Sequence, residues 1–221
     1  MGNKSDWFEN KTVIDISPVI SEDIGVFPGD ERFSRKVSMS TQAGDHLTLS
    51  SISTTLHVGA HTDGPNHYGK TNESIEAVGL SPYMGRCQVV QVQVPAGERI
   101  RCEHVSHVNW SAPRVLFKTG SFPDPKQWNS DFNALSPELI ESLVEKGVQL
   151  VGIDTPSVDL ESDKELLSHT AIFKNNLRIL EGVVLNHVSP GVYYLLALPL
   201  PIKGGDASPV RAVLLQENLQ C

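Results

Sequence analysis

Cysteine is scarce in this chain and basic charge is outnumbered. Three cysteines, Cys87, Cys102 and Cys221, are spread over 221 residues. The count is odd and no two form a C-x-x-C pair, so no disulfide framework is expected and a reducing compartment, the cytoplasm, is favoured. Lysine plus arginine number 18 against 26 acidic residues, a formal net charge of -8. No dense Lys/Arg cluster breaks that balance, and a nucleic-acid partner needs one. No apolar run reaches transmembrane length. The start, Met1-Gly2-Asn3-Lys4-Ser5-Asp6, lacks the apolar stretch of a signal peptide and, with Asp at position 6, the N-myristoylation pattern. Neither a membrane nor a nucleic acid is therefore expected as a partner. A G-x-S-x-G nucleophile elbow is also missing, so nothing in the sequence points to serine catalysis.

What is present reads as a globular body. Hydrophobic residues make up 39% and charged residues 20%, without the charge excess of a disordered chain. The length fits a single domain over residues 1–221. A domain of that size buries roughly 70% of its unfolded surface, so a metal is not needed merely to fold and must be justified by chemistry. Strands are expected over residues 13–16, 47–55, 86–94, 115–119, 148–153, 178–180 with a continuation through 183–185, 193–198 and 210–215. One helix opens at Ser136-Pro137-Glu138, where Ser can cap and Pro suits the first helical position. Leu139, Ile140, Leu143 and Val144 form its apolar stripe and Gly147 its stop. A second covers about 164–174 and ends at Asn175-Asn176. Residues 25–30, Gly-Val-Phe-Pro-Gly-Asp, read as a fixed loop in which Phe27 either packs on the core or walls a flat substrate. Many strands and few helices, without an internal repeat, predict a mixed α/β fold.

The chemistry concentrates in His57-Val58-Gly59-Ala60-His61-Thr62-Asp63-Gly64-Pro65-Asn66-His67. Three of the eight histidines and an aspartate fall within these eleven residues, and imidazole and carboxylate are the usual ligands of zinc and related ions. Gly59, Gly64 and Pro65 disfavour a helix. An extended chain would put the odd-numbered positions on one side, yet residues 57 to 63 would then span about 20 Å, too far for ligands of one ion. The chain must curl, the glycines supplying freedom and Pro65 a stiff turn before His67. By itself the segment also suits a polar core network or a solvent-facing cluster. Further carboxylates must come from elsewhere. His169 lies near the start of a helical stretch, and Glu181 follows the apolar pair Ile179-Leu180, where burial demands pairing or metal; a solvent-facing loop glutamate is the alternative. His46, His104, His107 and His187 have no such setting.

The segment His57 to His67 resembles the motif H-x-G-[TA]-H-x-D-x-P-x-H of bacterial metal-dependent kynurenine formamidases, within the wider cyclase-like hydrolases, with every fixed position kept. Asp15-Ile16-Ser17, Phe27-Pro28-Gly29-Asp30, Gly152-Ile153-Asp154-Thr155-Pro156-Ser157, Ile179-Leu180-Glu181-Gly182 and Gly204 to Ala212 also fit, so the resemblance runs from about residue 12 to 215. It implies a swivelling β/β/α domain, a homodimer with the pocket near its interface, and two divalent ions, usually zinc, with manganese the alternative. His57, His61 and Asp63 would hold one ion, and Asp63, His169 and Glu181 the second. Asp63 would bridge and His67 would be the acid/base. The implied reaction is hydrolysis of N-formyl-L-kynurenine to L-kynurenine and formate. Isatin hydrolases, which open a cyclic aryl amide, share the motif and are the rival. Phe27 stands where these formamidases usually carry a substrate-stacking Trp, and Gly64 and Asn66 replace the usual Ala and Leu, which puts the particular aryl substrate in doubt.

Overall fold

The computed structural model describes residues 11–217; the first six residues and Cys221, both read above from sequence, lie outside the described residues. In chain order the strands are Lys11–Asp15 (β1), Ser34–Met39 (β2), Leu49–Ser53 (β3), His61–Asp63 (β4), Met84–Gln91 (β5), Arg99–Ile100 (β6) and Arg114–Lys118 (β7). They continue with Ala134–Leu135 (β8), Leu150–Ile153 (β9), Arg178–Leu180 (β10), Gly191–Leu196 (β11), Ala207–Pro209 (β12) and Val213–Glu217 (β13). The α-helices are Pro65–Tyr68 (α1), Pro137–Glu145 (α2) and Leu167–Lys174 (α3).

Seven strands form one sheet in the order β1-β13-β11-β5-β7-β9-β10. The half from β5 to β10 is parallel and the half from β1 to β5 antiparallel. The parallel strands are near-continuous apolar runs, as strands covered on both faces must be. Successive residues serve opposite faces. Val115, Phe117, Val151, Ile153 and Ile179 pack with α2 and α3, whereas Leu116, Leu150 and Leu180 join the core that contains Tyr83, Tyr193 and Leu195. This is the mixed, strand-rich α/β architecture that the sequence implied, consistent with a swivelling β/β/α domain.

Helix α2 forms as its sequence dictates. Ser136 Oγ accepts the Leu139 N–H at 3.2 Å, and Leu139, Ile140 and Leu143 are fully buried. Elsewhere tertiary contacts move the expected boundaries. Residues 183–185 are not a strand: Gly182, at φ +66°, turns the chain out of β10, and the Val184 N–H donates instead to Ile16 O at 2.8 Å. Helix α3 begins at Leu167 rather than 164, because Asp163 accepts the N–H groups of Glu165 and Leu167 at 2.9 and 3.1 Å and Leu166 adopts φ +51°. The final strand starts at Val213 rather than 210. Residues 207–209 have left to pair with β4, and the Val210 N–H donates to Ala60 O at 2.8 Å.

Candidate metal centre

Strand β4 is the frame of the site. Its residues 61 and 63 are two apart and so share a face. On one edge β12 pairs with it, Ala207 opposite Asp63 and Pro209 opposite His61. On the other edge His61 and Glu181 exchange both backbone hydrogen bonds, at 3.1 and 2.9 Å. Residues directly opposed in this way carry their side chains on the same face, and His61 Nε2 meets Glu181 Oε2 at 3.1 Å. His57 lies before the turn at Gly59, whose φ of +61° curls the chain back, and its Nδ1 reaches Asp63 Oδ1 at 3.1 Å. Beyond Asp63, Pro65 opens a single helical turn, α1, rather than merely stiffening a loop. That turn sets His67 Nε2 4.0 Å from Asp63 Oδ2. His169, third in α3, brings Nε2 to 3.4 Å from Asp63 Oδ2 and 3.8 Å from Glu181 Oε1. All six residues singled out from sequence thus converge on one place, and Glu181 is not a solvent-facing loop residue.

Two facing glycines make the convergence possible. Gly182 has φ +66°, and a Cβ there would lie 2.2 Å from Gly59 O. Gly182→Ala is therefore expected to destabilise the protein by about 3 kcal/mol and lower Tm by roughly 6–12 °C. Calorimetry measures it; an unchanged Tm would remove the argument for close approach.

The centre is buried and electrostatically incomplete. His61, Asp63, His169 and Glu181 are each no more than 3% exposed. His61 Nδ1–H donates to Gly59 O at 2.9 Å and His169 Nδ1–H to Asp159 Oδ2 at 2.8 Å. Their Nε2 atoms therefore face inward. These two Nε2 atoms and both Asp63 oxygens are buried without a hydrogen-bond partner. Leaving one such atom unsatisfied costs about 1–3 kcal/mol, and four of them facing one another suit a cation that satisfies all at once. The ligand atoms of His61, Asp63 and Glu181 lie within 4.8 Å of one another, as do those of His57, Asp63 and His67, with Asp63 in both sets. This geometry groups His61 with Glu181 and His57 with His67. The donor set fits divalent metal, and its mixed N/O character suits zinc and also admits manganese.

The charges reinforce one another. Burial opposes the charged form of His57, but Asp63 and then Asp206 outweigh it and raise the pKa to about 9. Burial likewise opposes charge on His169, yet Asp159 and Asp63 raise it to about 10. Asp63 is held well below the carboxylate range because His169 and His57 overcome its burial. His67 goes the other way. Burial, with repulsion from His57 and His169, lowers its pKa despite the pull of Asp63, which leaves it a neutral base at neutral pH.

Several contributors were not found from sequence. Asp159 accepts from the His169 ring, the His169 N–H and the Ser168 N–H, and Arg99 Nη1 donates to it at 2.8 Å. A carboxylate behind a metal-facing histidine fixes its tautomer and orientation; no local pattern marks Asp159, since its partner is ten residues away. Asp206 lies within a family-like stretch but carried no assigned role, and its Oδ2 accepts from His57 Nε2 at 3.1 Å. Above the centre is a cavity of about 530 Å³, within the usual range for small ligands. Phe27, Phe122, Pro123, Pro125, Trp128 and Leu166 give it an apolar wall. Trp128 was unread because residues 119–133 look like any irregular loop.

Comparison with known proteins gives a consistent result. Residues 14–160 match a family described as putative cyclase. A kynurenine formamidase from Bordetella pertussis is 42% identical over 205 residues, covering 92% of this chain and 98% of that protein. Another from Delftia acidovorans is 41% identical over 201 residues, covering 90% and 95%. Among solved structures, isatin hydrolase A from Labrenzia aggregata superposes with a TM-score of 0.78 over 94% of each chain. At 19% identity that is a likeness of fold.

Proposed function

This chain belongs to the putative cyclase family, and from that premise we propose that it is a metal-dependent arylformamidase that hydrolyses N-formyl-L-kynurenine to L-kynurenine and formate. One observation carries the reading: four orphaned buried ligand atoms of His61, Asp63 and His169 face one another, and His61 and His169 also line an apolar cavity. The whole-length identity to kynurenine formamidases supports the substrate.

In this reading His57, His61, Asp63, His169 and Glu181 would hold two divalent ions, most readily zinc, with Asp63 serving both. Such ions supply Lewis acidity, making water acidic enough to be a nucleophile near neutral pH and polarising an amide carbonyl. The chain's own residues do the rest. His67, with its side chain 34% exposed against 1% for Asp63, is the member of the cluster best placed to meet substrate and solvent. Its neutral imidazole takes a proton from the attacking water. The resulting imidazolium returns it to the leaving aryl amine nitrogen, whose anion would be too basic to depart. Asp63 and Asp206 flank His67 at 4.0 and 3.8 Å and favour its transient charge. Phe27 lines the cavity and offers an apolar face to the aryl ring.

The test is kcat/KM on formyl-kynurenine, formanilide and isatin, with metal quantified in the same preparation. Preferential turnover of the formamides supports the assignment; preferential opening of isatin replaces it with the cyclic-amide reading.

The same reading makes residues 1–221 one domain in the cytoplasm. The joining of β1 to β13 at one sheet edge supports the first part and cysteine usage the second. Among the described residues no helix is long and apolar enough to cross a membrane. It also makes the protein a homodimer. The β2–β3 hairpin exposes Val37, Leu49 and Ile52 by 47, 54 and 65%. A two-stranded hairpin is marginal in water, and exposed apolar residues on one call for a partner surface. Light scattering should return twice the chain mass, and Ile52→Lys with Leu49→Lys should shift it toward one chain; a monomeric wild type would discard the dimer.

A further inference from the structure

We propose that Trp128, held in place by Glu161, is a specificity-determining residue that selects flat aromatic substrates; this rests on the arylformamidase reading and deepens it. Three observations support it. Trp128 lines the same cavity as His57, His61, His67 and His169, on a loop that also contributes Phe122, Pro123 and Pro125 to it. Its indole N–H donates to Glu161 Oε2 at 2.8 Å, so the ring cannot turn without leaving that donor unpaired. Its plane meets Phe27 at 76° with centroids 5.4 Å apart. Two perpendicular rings form a corner. A flat ligand placed there stacks on one face and takes the edge of the other, the two arrangements that aromatic quadrupoles favour.

The corner is built as a unit. The Gly25 N–H donates to Pro125 O at 2.8 Å, joining the Phe27 loop to the Trp128 loop. The base of the latter is clamped by buried Asp154, which accepts from the Thr119 and Gly120 N–H groups at 2.9 Å and from Thr119 Oγ1 at 2.6 Å. Phe122 and Phe132 pack edge-on against the indole at 5.9 and 6.0 Å. Glu161 itself belongs to the segment that carries Asp159. One short stretch of chain thus fixes both the histidine of the metal centre and the aromatic wall above it.

Glu161 is a positioning residue, and its conservative variant separates that role from bulk. The experiment measures kcat/KM for an aryl formamide and an N-alkylformamide of similar size. It is run on the metal-loaded wild type and on Trp128→Leu, Trp128→Phe, Glu161→Ala and Glu161→Gln. Calorimetry of kynurenine, the aromatic product, binding to each protein runs in parallel. Trp128→Leu should lower the aryl-to-alkyl ratio roughly tenfold through KM, and weaken product binding by the same factor with metal content unchanged. Trp128→Phe should retain most of the preference. Glu161→Ala should move toward Trp128→Leu, and Glu161→Gln, whose amide oxygen still accepts the indole N–H, should not. Equal loss on both substrates, or undiminished product binding in Trp128→Leu, overturns the proposal. If the wild type hydrolyses no aryl formamide, the functional reading fails, and binding of the aromatic amine still decides for or against Trp128.

Discussion

Asp63→Ala is expected to strip the protein of metal and of turnover together. Asp63 is 1% exposed, and its two oxygens face His57 and His61 on one side and His169 and His67 on the other. In the proposed centre it would serve both ions and balance their charge, being the one residue common to both candidate ligand groups among the described residues. Its removal also takes from His57 the carboxylate that does most to hold its charge in the metal-free protein, and leaves His169 to lean on Asp159. Loss of at least about 10³-fold in kcat is expected, since the nucleophile and the carbonyl polarisation go together. Elemental analysis of the purified variant gives the decisive number, and circular dichroism shows whether the fold survives. Two ions per chain still bound to a folded Asp63→Ala protein would reject the bridging role.

His67→Ala should separate what Asp63→Ala combines. The side chain is partly exposed, so its truncation costs little packing. Metal content should stay at the wild-type level while kcat falls by about 10²–10⁴-fold, the usual worth of general acid–base catalysis. The sign of the pH dependence follows from the environment. The active form is the neutral imidazole, and burial with two neighbouring histidines lowers its pKa. The acid limb of the wild-type rate therefore lies below the ordinary histidine value and should vanish in the variant. Because the ligand atoms of His67 also lie within reach of those of His57 and Asp63, loss of an ion from His67→Ala would instead make it a ligand. Full activity would remove it from the chemistry altogether.

Much of this architecture is legible in the chain because the signals are local. Ser136 followed by Pro137 and an apolar stripe specifies α2 within ten residues. The apolar runs of β7 and β9 announce strands covered on both faces. The 57–67 segment concentrates imidazole, carboxylate, glycine and proline densely enough to mark a candidate metal site and to require a curled backbone. The failures share a cause. Residues 183–185 have strand composition, but the turn at Gly182 and the Ile16 carbonyl claim them. Residues 210–212 do too, yet β4 needs an edge partner and draws the chain at 207–210 away.

The motif residues were fixed by the order of amino acids, since a backbone that passes His57, Gly59, His61, Asp63 and His67 in close succession can bring those side chains together with few rotations. That His61 stands opposite Glu181, that Asp159 stands behind His169, and that Trp128 meets Phe27 edge to face were decided only by tertiary structure. These pairs lie 120, 10 and 101 residues apart. No local torsional preference links such positions; they meet because one sheet register and one packed loop leave them nowhere else to go.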